Sequence, residues 1–204
     1  MFSEKNKLSF TVNYYDMKLT LFLLISLTLL ACDNPVKELN TTVDNHIPPE
    51  NNWTERAATI TLADSARVKG ATYLPVYSEI YQRNKDFTFN LTATVSIRNI
   101  SLTDTIYLHK ADYYDTHGEK IRSYFKKTVY VKPMETIEIV VNEDDKKGGT
   151  GANFIFEWTK EKGTLNPFFE AVMISTSGQQ GISFTTQGIV KWKEVKGKRL
   201  KDTL

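Results

Sequence analysis

From Ala58 onward the chain alternates apolar and polar residues with a period of two, and no other feature limits its fold so tightly. In FNLTATVSIRN the set Leu91, Ala93, Val95 and Ile97 alternates with Thr92, Thr94, Ser96 and Arg98. Successive side chains of a strand point to opposite faces, so this is a half-buried strand with a wet side. ETIEIVVN repeats the pattern through Ile137, Ile139 and Val141, and NFIFEWT through Phe154, Phe156 and Trp158. FFEAVMIST is apolar on both faces, as a central strand is. Further strands are expected near 69–80, 105–114, 119–131, 182–186 and 188–193.

The joints carry turn chemistry. Asp115-Thr116-His117-Gly118 has an acidic opener and a glycine, Lys132-Pro133-Met134-Glu135 places proline in a turn, and Ser177 to Gly181 reads as a short hairpin. No segment of ten or more residues in this region carries a helical stripe. Short strands at regular spacing define an all-β chain, a single immunoglobulin-like antiparallel β-sandwich over 58–193, with a barrel as the alternative closure. The 204 residues, 41% of them hydrophobic, suit one such domain and a targeting segment.

That segment is MKLTLFLLISLTLLACDNP. Lys18, an apolar run from Leu19 to Leu30 and the small Ala31 describe a signal peptide over 1–31. The run is shorter than the ~20 apolar residues of a comfortable membrane span. Cys32, the sole cysteine, sits where the run stops and excludes both an internal disulfide and a cysteine-rich zinc site. Leu29-Leu30-Ala31-Cys32 resembles the bacterial lipobox, which implies that the Cys32 thiol takes diacylglycerol and the new amine a fatty acid such as palmitate. The expectation is a lipid-anchored protein of the bacterial cell envelope, at the periplasmic face or the cell surface. A plain signal peptide with an accidental cysteine is the alternative. Residues 1–16 are polar and precede an ordinary start at Met17-Lys18, so they read as a gene-model extension or a long n-region. Residues 32–57, rich in Asn, Thr, Asp and Pro, read as a tether whose Trp53 docks on the domain edge. Residues 194–204 read as a basic tail, solvated or, as the alternative, touching phosphate head groups of the anchoring membrane.

Charge adds an exclusion. The net charge is +2, of which the first 31 residues supply +1 through three lysines against two acids. A near-neutral domain gives no electrostatic reason to bind nucleic acid. His46, His109 and His117 lack metal-ligand spacing, and no cofactor motif is present.

Several blocks, YLPVYSEIY, FNLTATVSIRN, DYYDTHGEKIRSYF, GGTGANFIFEW and EAVMISTSGQQGISFTTQG, resemble a small bacterial envelope family known only as a domain of unknown function. The resemblance runs from Tyr73 to Val190 and implies a secreted or lipid-anchored protein with no known activity. More loosely, the strands are similar to extracellular sandwich modules of adhesion and desiccation proteins, a likeness of fold alone.

Catalytic readings are weak. Ser175 and Ser177 lack the G-x-S-x-G context of a nucleophile elbow. Glu143-Asp144-Asp145 before a glycine-rich run lacks the spacing of an EF-hand, and the glycines lack a P-loop frame. Asp112, Asp115 and Glu119 form a second acidic group around His117. Glu157 and Glu170, expected on adjacent strands, are the pair a glycoside hydrolase would use, and a carbohydrate-active or other hydrolase is the second functional reading. The first is a non-catalytic module that binds an envelope protein or glycan. Strand parity sends loops 81–86, 115–118, 143–152 and 175–181 to one end of the sandwich and 100–104, 132–134 and 159–167 to the other. The first set gathers Tyr81, Arg83, Asp115, His117, Asp144, Asp145, Gly149, Gln179 and Gln180, the expected binding face. The second reads as plain connection.

Overall fold

The alternating segments pair into two antiparallel sheets packed face to face, a β-sandwich. The computed structural model describes residues 53–176 and 181–200, all within a unit that begins at Pro49. Cys32, Gln179 and Gln180 lie outside the described residues, as do Ser177 and His46.

The larger sheet centres on β1 (Arg67–Pro75), β9 (Asn153–Glu161) and β5 (Ile106–Tyr114), with β12 (Ile189–Val195) and β13 (Lys198–Leu200) beyond β1. Two short strands, β6 (Lys120–Ser123) and β7 (Val129–Val131), share the far side of β5. The smaller sheet has the order β11 (Ile182–Gln187), β10 (Phe168–Ser175), β4 (Thr92–Arg98), β8 (Thr136–Val141). A hairpin of β2 (Glu79–Tyr81) and β3 (Thr88–Asn90) stands apart from both.

The inner faces follow the alternation. Leu91, Ala93, Val95 and Ile97 are fully buried, and Ile137, Ile139 and Val141 line up beside them on β8. From the other sheet, Phe154, Phe156 and Trp158 point inward, and the Phe156 ring stacks on Phe169 of β10 at 4.6 Å. Each such side chain contributes about 1.5–3 kcal/mol through burial, so this aromatic contact is a principal join between the sheets. A polar bridge adds to it, where Thr186 Oγ1 donates to the Pro75 carbonyl at 2.6 Å.

Three expectations need correction. The strand expected over 119–131 is two strands, because residues 124–128 leave the sheet to bury Phe125. The strand expected over 69–80 ends at Pro75, and Glu79 onward turns away into the β2–β3 hairpin. The basic segment 194–204 is not solvated throughout: Glu194 and Val195 lie in β12 and pair with β13 through a Lys196-Gly197 turn of positive φ.

The residues from Trp53 to Ala58 lie against β7. Trp53 packs on Phe125 with ring centroids 5.2 Å apart, and Ala57 bridges to Val129. Arg56 pairs with Glu135 at 2.8 Å, and its carbonyl accepts from Tyr130 N.

His109 is the extra residue of a β-bulge, since Leu108 faces Trp158 and Lys110 faces Glu157 across β9. Its ring lies between two hydroxyls, Nδ1 2.9 Å from Thr128 Oγ1 and Nε2 2.7 Å from Thr159 Oγ1.

The register fixes what meets at each end. Pro75, Asn153, Tyr114 and Ile189 mark one end of the larger sheet, and Thr92, Val141 and Ile174 the same end of the smaller one. Loops 82–87, 115–119 and 142–152 leave from there. Loops 99–105, 132–135 and 162–167 leave from the other end. There Asn99 is buried and donates to the carbonyls of Asp104 (2.7 Å) and Val131 (3.0 Å), while Met134 N donates to Ser101 O at 3.0 Å. Met134 has φ +58° behind Pro133, a turn position where glycine is the unstrained choice. Such a residue costs about 1–3 kcal/mol.

Candidate functional site

The end that carries loops 82–87, 115–119 and 142–152 is knitted by Thr116. Its main-chain N–H and its Oγ1 both donate to the Gly148 carbonyl at 3.0 Å, and Oγ1 accepts from Gly151 N at 2.9 Å. Ser78 holds the next residue, donating to Gly149 O from its main chain (3.3 Å) and its Oγ (3.1 Å). The glycines are required sterically. A Cβ on Gly148 would run into the Tyr113 hydroxyl and lie 2.9 Å from Ser78 Oγ, and Gly149 has φ +70°. Beneath this turn, burial pushes the Tyr113 phenol up to about 12, with the Ser78 hydroxyl pulling the other way.

Each expected binding residue has a definite place. Asp115 is occupied with its own loop, its Oδ1 accepting from His117 N and Glu119 N at 2.8 Å each. The His117 side chain is exposed on that turn. Asp145 caps the 3-10 turn Lys146–Gly151 by accepting from Lys147 N and forms an ion pair with Arg122. The Arg122 guanidinium lies 5.8 Å from the ring centroids of both Tyr113 and Tyr124. Asp144 is exposed and lines an open depression of ≈ 550 Å³ with Asn90, Asn142, Glu143 and Lys146. Arg83 is exposed at the tip of the β2–β3 hairpin.

Tyr81 and Phe87 stand out on this end. They flank the hairpin loop, their exposures are 57% and 58%, and Gln82 N donates to Phe87 O at 2.9 Å. Thr150 Oγ1 reaches the Tyr81 hydroxyl at 3.5 Å, which links the hairpin to the glycine turn. Phe87, Thr116 and Ser78 were missed in the sequence. Phe87 lies just past the loop expected over 81–86, and only its exposure in the fold marks it.

The acidic constellations do not assemble. Asp112 is buried on β5, bound by Ser123 Oγ at 2.6 Å and faced by Lys110 and Lys120, so it does not join Asp115 and Glu119. Glu157 and Glu170 are not on adjacent strands. Glu157 lies on the outer face of β9 beside Lys110 at 3.3 Å, and Glu170 on the outer face of β10 with Arg98 at 3.7 Å. The core lies between them, so they cannot act on one glycosidic bond. Ser175 is buried on β10. Among the described residues, no group of His, Cys, Asp and Glu is placed to hold a metal ion, and no helix is long and apolar enough to cross a membrane.

Comparison with known proteins adds a family and little else. No curated protein matches the chain. The crystal structure of Thermotoga maritima 1070 is similar over 59% of this chain and 94% of its own, at 9% identity and a TM-score of 0.36, too distant to carry an argument. A family profile described as "Protein of unknown function (DUF3124)" matches residues 69–190, from β1 through β12. By that match, over more than half its length, the chain belongs to the DUF3124 family.

Proposed function

We propose that this protein is a lipid-anchored component of the bacterial cell envelope whose sandwich binds a protein or glycan partner without catalysing a reaction. The anchor rests on the lipobox at Cys32. The observation that carries the binding reading is the pair of exposed aromatics, Tyr81 and Phe87, on a hairpin braced by the Thr116–Gly148 turn. Exposed aromatic rings on rigid supports are frequent anchors of protein and sugar recognition, because they offer large contact area at small entropic cost. Arg83, Asp144 and His117 supply polar and charged groups around them.

The test is a photo-crosslinking amino acid placed in turn at Tyr81, Phe87 and Val140 in intact cells. The expected result is one discrete crosslinked partner from the first two positions and none from Val140, which is exposed on the outer face of β8. The same pattern from all three positions, or from none, would defeat the reading. For the anchor, Cys32→Ser is expected to abolish fatty-acid labelling and processing.

A further inference from the structure

The opposite end of the sandwich, which reads in the sequence as plain connection, carries the most exposed large aliphatic side chain among the described residues. Leu102 is 79% exposed, Met134 63%, Leu165 59% and Ile100 43%, and these four sit on the three loops that meet there. The loops are fixed to one another. Met134 N donates to Ser101 O, Asn99 N donates to Glu135 O at 2.9 Å, and the Asp104 carboxylate, held below the usual carboxylate range by Ser101, engages Thr164 as well. The apolar tips are thus presented by a rigid frame, and Met134 keeps its place in a left-handed turn position where glycine would be free of strain. Lys132 and Lys162 are exposed beside them, and the exposed acids of the same end include Glu161 and Asp64, the latter paired with Arg67 at 3.1 Å.

We propose that this end docks on the bilayer that holds the Cys32 lipid, with Leu102, Met134 and Leu165 entering the interface and Lys132 and Lys162 meeting phosphate groups. Three separated apolar tips flanked by Lys132 and Lys162 match a surface that is apolar below and anionic above. Twenty residues lie between Cys32 and Trp53, and at full extension they span roughly 70 Å, enough for either end of the domain to reach the membrane. With this end down, the Tyr81–Phe87 hairpin faces away from the bilayer. The choice of occupant rests on the lipid-anchored reading; the patch itself does not.

The experiment uses the full protein reconstituted in vesicles of phosphatidylethanolamine and phosphatidylglycerol, with a polarity-sensitive dye on Leu102→Cys, Leu165→Cys or Val140→Cys. Acylation is read separately from the mass of the N-terminal peptide. With Cys32 acylated, the introduced thiol is the sole one. Blue-shifted emission quenched by spin-labelled lipid is expected at 102 and 165, and water-like emission at 140. Adding Leu102→Glu to the Leu165→Cys protein should abolish the shift at 165. Water-like emission at both tips of an acylated protein would overturn the docking and leave the anchor standing. If Cys32 proves unmodified the anchor reading fails, and the measurement is repeated with Cys32→Ser in each labelled chain. Lipid-quenched emission there supports the patch, and its absence overturns it. A blue shift that needs no vesicles and grows with protein concentration would assign the patch to a second copy of the chain and overturn the proposal.

Discussion

The Trp158 indole N–H donates to Thr72 Oγ1 at 3.0 Å, and the same ring lies over Gly70, directly opposite it on β1. A Cβ on Gly70 would collide with the six-membered part of the ring, so the glycine is a seat for the tryptophan.

Two substitutions separate these contacts. Gly70→Ala should lower stability by about 1–3 kcal/mol through overpacking. Thr72→Val should cost about 1–3 kcal/mol by leaving a buried N–H without a partner. Thr72→Ser should recover part of the second loss. Denaturant unfolding monitored by tryptophan fluorescence checks all three, and a neutral Gly70→Ala would contradict the seating.

Tyr113 predicts the alkaline limb of stability. Its phenol titrates at about 12 in the folded protein against 10.0 normally, because burial disfavours the phenolate. Between those values the folded state holds the proton that the unfolded state has lost, so stability falls as pH rises through the window. Tyr113→Phe should flatten that fall by up to about 2–3 kcal/mol. Tyr124 and Tyr114, whose phenols burial also raises, and Lys110, raised against its burial by Glu157 and Asp112, contribute to the slope that persists. Unfolding midpoints across this pH range provide the measurement.

His109 acts on the acid side. Burial lowers its pKa, the Glu157 carboxylate opposes this, and Lys69 and Arg67 reinforce it. As pH falls below 6.5 the unfolded chain takes up the proton first, so stability drops toward the lower folded value. His109→Gln, which keeps hydrogen-bonding groups between Thr128 and Thr159, should lose less stability than wild type between neutral and mildly acid pH. An identical acid slope in both proteins would exclude His109 from the effect.

The glycine turn should behave as one unit. Gly148→Ala would press on Tyr113, Ser78 and Ala152, whereas Thr116→Val removes bonds to Gly148 and Gly151. Both should speed amide exchange at Thr116 and Gly151, and the double variant should cost less than the two losses added, because they disrupt the same contacts. Strict additivity would show that the turn is not coupled in this way.

The strands with clean alternation were legible from the sequence, because burial on one face forces the period that β4, β8 and β9 display. The breaks were not. Phe125 and Ile121 both read as strand residues, and only packing shows that one belongs to β6 and the other fills the core beyond it. Parity could say which loops share an end, since it needs only strand count; the misjudged stretch at 119–131 contains two short strands and a turn and leaves the chain at the same end as one strand would. Glu157 and Glu170 failed for the matching reason. Consecutive strands are not neighbours in a sandwich when the chain crosses from one sheet to the other. Exposure at Phe87, Leu102 and Leu165 had no sequence signal, because an apolar residue next to a turn looks the same whether it points in or out.

The attachment of residues 53–58 to β7 has a mechanical consequence. Tension arriving from the N-terminal side meets the Trp53–Phe125 contact, the Arg56–Glu135 pair and a few main-chain bonds to a three-residue strand. The central strand β1 begins only at Arg67. The clasp therefore yields before the sheet is loaded, and residues 58–66 then pay out roughly 30 Å of slack. A tug on the N-terminal segment would be absorbed by a fuse at the edge while β1, β9 and β5 stay closed.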